Sequence, residues 1–517
     1  MSNRSKKLNF IQKIFNSVKN VNMKNKDGKT PLMIACESSN NSNSLKTVKQ
    51  LISDGANLDL QDNNGMTALM IASRYSNKDS SQETVKELIK SGANLDLQDN
   101  NGMTALMIAS RYSNKDSSQE TVTELIKSGA NLDLQDNNGR TALMYASRYS
   151  NTTSSLETVK ELIKSGANLD LQDNNGITAL MVASSNSNKD SSLETVKELI
   201  KSGANLDLQE INGWTVLMLA SRYSNTDSSL ETVKELIKSR ANLDLQNNNG
   251  YTALMMASSY SNTDSSLKTV KELIKAGANL DLQTNGWSAL MMASRYSNTY
   301  SSIETVKELI KAGANLNLQY NNGLFTTLML ASKYSNTDSS LETVKELIKA
   351  GANLDLQNKY SDTCLSFLVR YSNSLEIIKE VISRGVSLTH LTKNIEKGNE
   401  EYKYNGNSLL HWCAIGFKEN TSSYEILEYL ETLEIDKSLK NQEGKTYKEY
   451  LINYKHCHVV SECEICYNKI DCNKITILQC ECNCGRVCYN CSQVLKGNQC
   501  PYCRKTFKDV YIFKFIN

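Results

Sequence analysis

The sequence is poor in proline, in net charge and in long apolar runs. Two prolines among 517 residues, with 39% hydrophobic and 22% charged residues, exclude a linker-rich or disordered chain and point to a soluble, mostly helical protein. A formal net charge of +2 gives no electrostatic footprint for DNA or RNA, whose binders usually carry a clear basic excess, so nucleic acid is not an expected partner. No apolar run approaches the roughly 18 residues that a membrane span needs. Leu8 to Phe15 is broken by Asn9, Gln12 and Lys13, so no signal-peptide core is expected either. The chain is expected inside the cell, in the cytoplasm, and not on a membrane.

What is present is repetition and a cysteine cluster. A chain of 517 residues exceeds what one hydrophobic core organises, so it is several domains or a repeat array. Of 14 cysteines, eleven fall between Cys457 and Cys503, in pairs spaced for metal, which suits a reducing compartment and a zinc site better than disulfides. Gly28, Gly65, Gly102, Gly139, Gly176, Gly213 and Gly250 recur every 37 residues, and Gly286 and Gly323 follow after a slip of one residue.

One unit, residues 63 to 99, shows what the period encodes. Leu69, Met70 and Ala72 give a short apolar helix face, and Val85, Leu88 and Ile89 give a second at helical spacing. Ser80 and Glu83 have the form of a capping box opening the second helix, and Gly92 sits where a left-handed residue ends it. Neither helix buries its stripe alone, so the units must stack.

The Gly-x-Thr-Ala-Leu-x-x-Ala opening, the later Val-x-x-Leu-Ile and the closing Gly-Ala-Asn-Leu-Asp resemble the ankyrin repeat, with four extra residues between the helices. The resemblance implies a mostly α fold, an ankyrin-repeat solenoid of about eleven units over residues 27–455. Residues 1–26, with Phe10 to Val18 as a half-repeat, form an N-terminal cap, and a partial unit at Gly444 closes the stack. Two departures stand out. The family's Thr-Pro-Leu-His step becomes Thr-Ala-Leu-Met, with proline only at Pro31, so the usual histidine hydrogen bonding is expected to be absent and packing to compensate. Arg240 replaces the glycine found at Gly92, Gly129, Gly166 and Gly203, and a side chain in the left-handed region costs roughly 1–2 kcal/mol.

Ankyrin proteins bind partners with hairpin tips and the exposed end of the first helix, so positions where near-identical units differ are candidate partner contacts. After the tip glycine stand Met66, Met103, Arg140, Ile177, Trp214, Tyr251 and Trp287. After the first helix stands an Arg-Tyr pair, at Arg74-Tyr75, Arg111-Tyr112, Arg148-Tyr149, Arg222-Tyr223 and Arg295-Tyr296, continued by Lys333-Tyr334 and Arg370-Tyr371. Ser185-Asn186 and Ser259-Tyr260 interrupt it. Tyr, Trp and Arg are enriched at interface hot spots. Two readings stand side by side: a protein-binding groove made by Tyr75, Tyr112, Tyr149, Trp214, Tyr223, Tyr251, Trp287 and Tyr296, or tyrosines that pack against the inserted loop of their own repeat.

Residues 463–504 carry Cys463/Cys466, Cys488/Cys491 and Cys500/Cys503, each Cys-x-x-Cys, with Cys482/Cys484 between them. Such spacing lets one turn of backbone present two thiolates to a tetrahedral zinc. The segment resembles the RING finger, which implies two cross-braced zinc ions, with Cys480 as an alternative to Cys482 for the third ligand. Closed sites of this kind fold a segment and do no chemistry. The resemblance also makes Ile465 and Pro501 docking positions for a ubiquitin-conjugating enzyme and Arg504 the basic residue bridging that enzyme and its ubiquitin. Residues 505–517 read as a tail with a strand from Val510 to Phe515, similar to the RING fingers of inhibitor-of-apoptosis proteins that dimerise through such tails, which implies a homodimer by strand addition. Together these features imply a substrate-recruiting ubiquitin ligase that works by proximity and has no catalytic nucleophile. The alternative is a passive scaffold whose finger is structural or dimerising. The asparagine-rich style is similar to the ankyrin proteins of giant DNA viruses or of protists with AT-rich genomes, which would place the chain in host cytoplasm if viral.

Overall fold

A threonine, or a serine at Ser288 and Ser408, opens each first helix. Thr67 caps the helix Ala68–Arg74, its hydroxyl accepting the Met70 N–H at 3.2 Å, and the six residues Ala68 to Ser73 are all buried. The second helix, Gln82–Lys90, buries Thr84, Val85 and Leu88. Its cap is Ser81, which accepts from the Thr84 N–H at 3.2 Å, and not the expected Ser80. Ser80 instead links neighbouring units, because it is buried and its hydroxyl shares a hydrogen bond of 2.8 Å with Ser39 of the preceding repeat. Gly92, at φ +89°, closes the helix as expected, and the Ala93 N–H reaches back to the Leu88 carbonyl at 3.1 Å.

This computed structural model describes residues 20–39, 42–320, 323–393 and 404–451, and strands at 475–479, 486–488 and 509–512 as backbone. The expected cap segment Phe10 to Val18 lies outside them. The chain divides into two compact units, Met1–Asn394 and Ile395–Asn517, a boundary inside the span expected to be one solenoid. In the first unit, helix pairs of this design run from Pro31–Cys36 with Ser42–Ser53 to Cys364–Tyr371 with Leu375–Ser383. One hairpin is a short antiparallel ribbon, β1 (Gln319–Tyr320) with β2 (Phe325–Thr326). In the second unit lie the helices Leu409–Lys418, Tyr424–Thr432 and Tyr447–Tyr450, and the strands β3 (Ile475–Gln479), β4 (Arg486–Cys488) and β5 (Asp509–Ile512) in the antiparallel order β4-β3-β5. The tail strand therefore begins one residue before Val510 and ends at Ile512; Phe513 and Phe515 lie outside the described residues. It pairs with β3 of its own chain.

Three hydrogen-bond ladders tie the repeats of the first unit together. At the hairpins, Gln61 Nε2 donates to the Gln98 carbonyl at 2.7 Å and Gln98 Nε2 to the Gln135 carbonyl at 2.8 Å, each also holding its own loop. Beside them, Asn100 Nδ2 donates to the Asn63 carbonyl at 3.0 Å. The approach is so close that a Cβ on Gly65 would lie 2.5 Å from the Asn100 nitrogen, which fixes glycine there besides its φ of +79°. Between the helices, a loop serine and a threonine of the next repeat's second helix build the third ladder from buried hydroxyls, as in Ser113 with Thr158 at 2.6 Å and Ser224 with Thr269 at 2.6 Å.

The Thr-Ala-Leu-Met step keeps part of the hydrogen bonding expected to be lost. Met70 sulfur accepts the Thr67 N–H at 3.4 Å, a weak bond that nonetheless gives a buried donor a partner. His411 shows the stronger version, with Nδ1 2.9 Å from the Ser408 hydroxyl and Nε2 3.0 Å from the Lys445 carbonyl. What methionine lacks is the donor to the next unit, and the glutamine ladder supplies that, so compensation is by hydrogen bonds as well as packing. Arg240 does adopt φ +66°.

Candidate functional site

The C-terminal end of each first helix presents its Arg-Tyr pair beside the inserted loop. The tyrosine carbonyl anchors that loop: Tyr75 O accepts from the Lys78 N–H at 2.9 Å and the Ser80 N–H at 2.8 Å. The rings of Tyr75, Tyr112, Tyr149, Tyr223 and Tyr296 are half-buried and face the arginine of their own repeat, and Tyr112 and Tyr149 face that of the preceding repeat as well. Arg74 lies 5.4 Å from the Tyr75 centroid and 5.3 Å from Tyr112, and Arg111 lies 5.3 Å from Tyr112 and 5.1 Å from Tyr149. Both readings of the tyrosines thus hold in part: the backbone serves the loop, and the ring joins a row running across repeats.

The row changes character along the solenoid. Arg222 pairs with Asp264 and Arg295 with Asp338, each carboxylate coming from the inserted loop of the next repeat. Those guanidinium groups sit 3.3 Å from the Tyr260 centroid and 3.1 Å from Tyr334, directly over the rings. Arg74, Arg111 and Arg148 make no ion pair with any described residue, and the Nε atoms of Arg74 and Arg148 are buried without a hydrogen-bond acceptor. At Arg111 the loop carboxylate is absent, whereas Asp190 holds that position for Arg148. Thr153 occupies the place of Asp264, and its hydroxyl donates instead to the Arg111 carbonyl at 2.7 Å. Asp116, the corresponding acid for Arg74, lies 3.7 Å from Lys78.

Among the tip residues Met66, Arg140, Ile177, Trp214, Tyr251 and Trp287 are half-buried and Met103 is buried. Trp287 stacks on Tyr320 with centroids 4.7 Å apart, Tyr320 on Phe325 at 5.6 Å, and Phe325 on Phe367 at 5.2 Å. Tyr300, more than half exposed, stands 5.9 Å from Tyr296 and 6.2 Å from Tyr260. Sequence reasoning does not single out these partners, although each breaks the repeat consensus: Tyr300 replaces the loop aspartate, and Phe325 stands before the cap Thr326 in a hairpin one residue longer. Ile211, 66% exposed, likewise replaces the tip asparagine. Burial raises the Tyr251 hydroxyl above its ordinary pKa, with Tyr260 and Tyr296 nearby adding to the shift.

The expected zinc ligands Cys463, Cys466, Cys482, Cys484, Cys491, Cys500 and Cys503, the alternative Cys480, and Ile465, Pro501 and Arg504 lie outside the described residues. Cys488 ends β4, paired in register with Ile475. Among the described residues no cluster of histidine, cysteine and carboxylate side chains is arranged to hold a metal. Cys36, Cys364 and Cys413 are buried and reduced; burial raises all three thiols, Cys364 and Cys413 to about 12, so they are neutral packing groups. No described helix is long and apolar enough to cross a membrane.

A family model for "Ankyrin repeats (3 copies)" matches residues 2–82, 76–154, 150–229, 224–320 and 297–392. Among solved structures, the crystal structure of the ankyrin repeat domain of Bcl-3, a unique member of the IkappaB protein family, is 28% identical, covers 48% of this chain and 99% of its own, and aligns with a TM-score of 0.40. No curated protein matches the chain.

Proposed function

The chain belongs to the ankyrin-repeat family, whose repeats generally bind protein partners, and on that premise we propose that it recruits a target protein to a C-terminal RING-type finger acting as a ubiquitin ligase. The observation that carries the recruiting half is the row of half-buried arginine and aromatic side chains crossing the repeats, with Trp214, Tyr251 and Trp287 at the tips. It offers the residue types that dominate protein interfaces.

The ligase half rests on the donor set. Four cysteine pairs, Cys463/Cys466, Cys482/Cys484, Cys488/Cys491 and Cys500/Cys503, suit two tetrahedral zinc ions, with Cys480 as the alternative third ligand. The antiparallel pairing of β3 and β4 suits this reading, because residues 480–485 between them carry Cys480, Cys482 and Cys484. Zinc there would supply folding free energy and no chemistry. Ile465 and Pro501 would hold the conjugating enzyme and Arg504 its ubiquitin, so that transfer is accelerated by orientation. The outer edge of β5 has no strand neighbour among the described residues, which leaves it suited to pairing with a second copy. The passive-scaffold reading differs in its outcome. In a reconstituted mixture of activating enzyme, conjugating enzymes, ubiquitin and the full chain, the ligase reading expects self-ubiquitination that Ile465→Ala abolishes and Arg504→Ala strongly reduces, both variants keeping two zinc ions. An inactive wild-type chain with every conjugating enzyme would favour the scaffold.

A further inference from the structure

Arg74, Arg111 and Arg148 are held in a row without the ion pairs that their counterparts make: Thr153 stands in place of the loop carboxylate at Arg111, and Asp116 and Asp190, which hold that place for Arg74 and Arg148, do not pair with them. The solenoid itself shows what the position accepts: Asp264 closes over Arg222 and Asp338 over Arg295, and the guanidinium then settles onto the neighbouring tyrosine. In the open row Arg74 and Arg111 stand 5.3 and 5.1 Å from the next repeat's Tyr112 and Tyr149, and the buried Nε donors of Arg74 and Arg148 have no acceptor. A buried charged donor without a partner is costly, and a carboxylate is the group that relieves it most strongly.

We infer that this row binds an acidic, extended segment of a partner protein, with one carboxylate seated on each arginine as Asp264 is on Arg222. The inference rests on the reading of the solenoid as a protein-binding surface and narrows its partner to an acidic peptide. The geometry sets the spacing. Stacked helices stand about 10 Å apart, and an extended chain rises about 3.3 Å per residue, so acidic residues at every third position match successive arginines. A nucleic acid fits less well, because the chain's net charge of +2 offers no extended basic track for a phosphate polymer.

The test uses the full chain and a fluorescein-labelled twelve-residue peptide with glutamate at every third position, read by polarisation beside its all-glutamine counterpart. The glutamate peptide should bind at least about tenfold more tightly than the glutamine one, and its affinity should fall as salt is raised. Thr153→Asp installs the missing internal carboxylate using the residue other repeats carry there, so it should weaken binding about fivefold or more without lowering the melting temperature. Arg111→Gln should weaken binding similarly, and Arg222→Gln should leave it unchanged within about twofold. Failure of the glutamate peptide to bind, equal binding of the two peptides, or affinity indifferent to Thr153→Asp and Arg111→Gln would each overturn the inference. Tighter binding of a single-stranded oligonucleotide of equal length, lost in Arg111→Gln, would overturn it too and assign the row to nucleic acid. None of these variants touches the finger, so ubiquitin transfer is judged separately.

Discussion

The two stretches of the Arg-Tyr row share one design and differ by a few loop residues. From Arg222 to Tyr334 the loop aspartates Asp264 and Asp338 turn arginine inward, and the row becomes part of the stack. From Arg74 to Tyr149 the carboxylate is replaced at Thr153, lies beside Lys78 at Asp116, or is present without an ion pair at Asp190, and the arginines stay unpaired. Duplication alone keeps a surface uniform; one substitution in a loop converts a position that stabilises neighbours into one that is available to a partner. The lesson is that the informative residues of a near-identical array are those that answer a partner in the next unit.

The comparison presumes a common frame, and the largest expected effect tests that. Gly102→Ala would place a Cβ 2.5 Å from the Asn137 nitrogen, and Gly213→Ala one 2.6 Å from the Asn248 nitrogen, both at positive φ. Each should destabilise the solenoid by more than about 3 kcal/mol in urea unfolding, since backbone must move and the conformation is strained. Gly129→Ala, whose Cβ meets nothing within 4 Å, should cost only about 1 kcal/mol. Equal effects at Gly102 and Gly129 would refute the close approach of hairpins.

A smaller difference should separate the two regions by their carboxylates. Asp264→Asn removes the partner of an Arg222 side chain that is 15% exposed, and should lower stability by about 1 kcal/mol. Asp116→Asn, facing a Lys78 that is mostly in solvent, should be neutral within about 0.5 kcal/mol. Arg240→Gly should act in the opposite direction, stabilising by about 1 kcal/mol, because the residue sits at φ +66° and the equivalent glycines have open space around them. No change on that substitution would mean that contacts of the arginine side chain offset its strain.

The smallest expected effect separates the two compact units. Burial holds His411 below the ordinary histidine pKa, so in the folded state it is neutral where the unfolded chain takes up a proton. Stability of its repeat is therefore full above about pH 6.5 and declines as pH falls from there through the lowered folded value. Repeats with methionine at that step have no such group. Hydrogen exchange, corrected for intrinsic rates, should show Leu409–Lys418 losing protection between about pH 7.5 and about pH 5.5 relative to Ala105–Tyr112; parallel behaviour would remove His411 as the cause.

Much of the repeat is legible in the sequence because its signals are local. The glycine period, the apolar faces and the left-handed Gly92 and Arg240 depend on residues within one unit. Ser80 reads as a cap because two adjacent serines satisfy the same local pattern, and only the hydroxyl of Ser39 in the preceding repeat decides between them. The glutamine ladder is invisible for the opposite reason: a residue constant from Gln61 to Gln357 looks like copied sequence until Gln61 is seen to bond Gln98. Thr153, Tyr300 and Phe325 carry a readable signal, departure from the consensus, but its meaning lies in Arg111, Tyr260 and Phe367 of neighbouring units. The finger is read from cysteine spacing alone, and all but one of its expected ligands lie outside the described residues.

The claim that a loop carboxylate decides whether an arginine stacks or binds is tested most directly by measuring melting temperature and glutamate-peptide affinity together for Arg111→Gln and Arg295→Gln in the full chain. The two variants should cross. Arg295→Gln should lower the melting temperature and leave affinity as in wild type, and Arg111→Gln should lose affinity about fivefold or more with little change in melting. Two variants that lose stability alike, with affinity unmoved in both, would contradict it and return the whole row to internal packing.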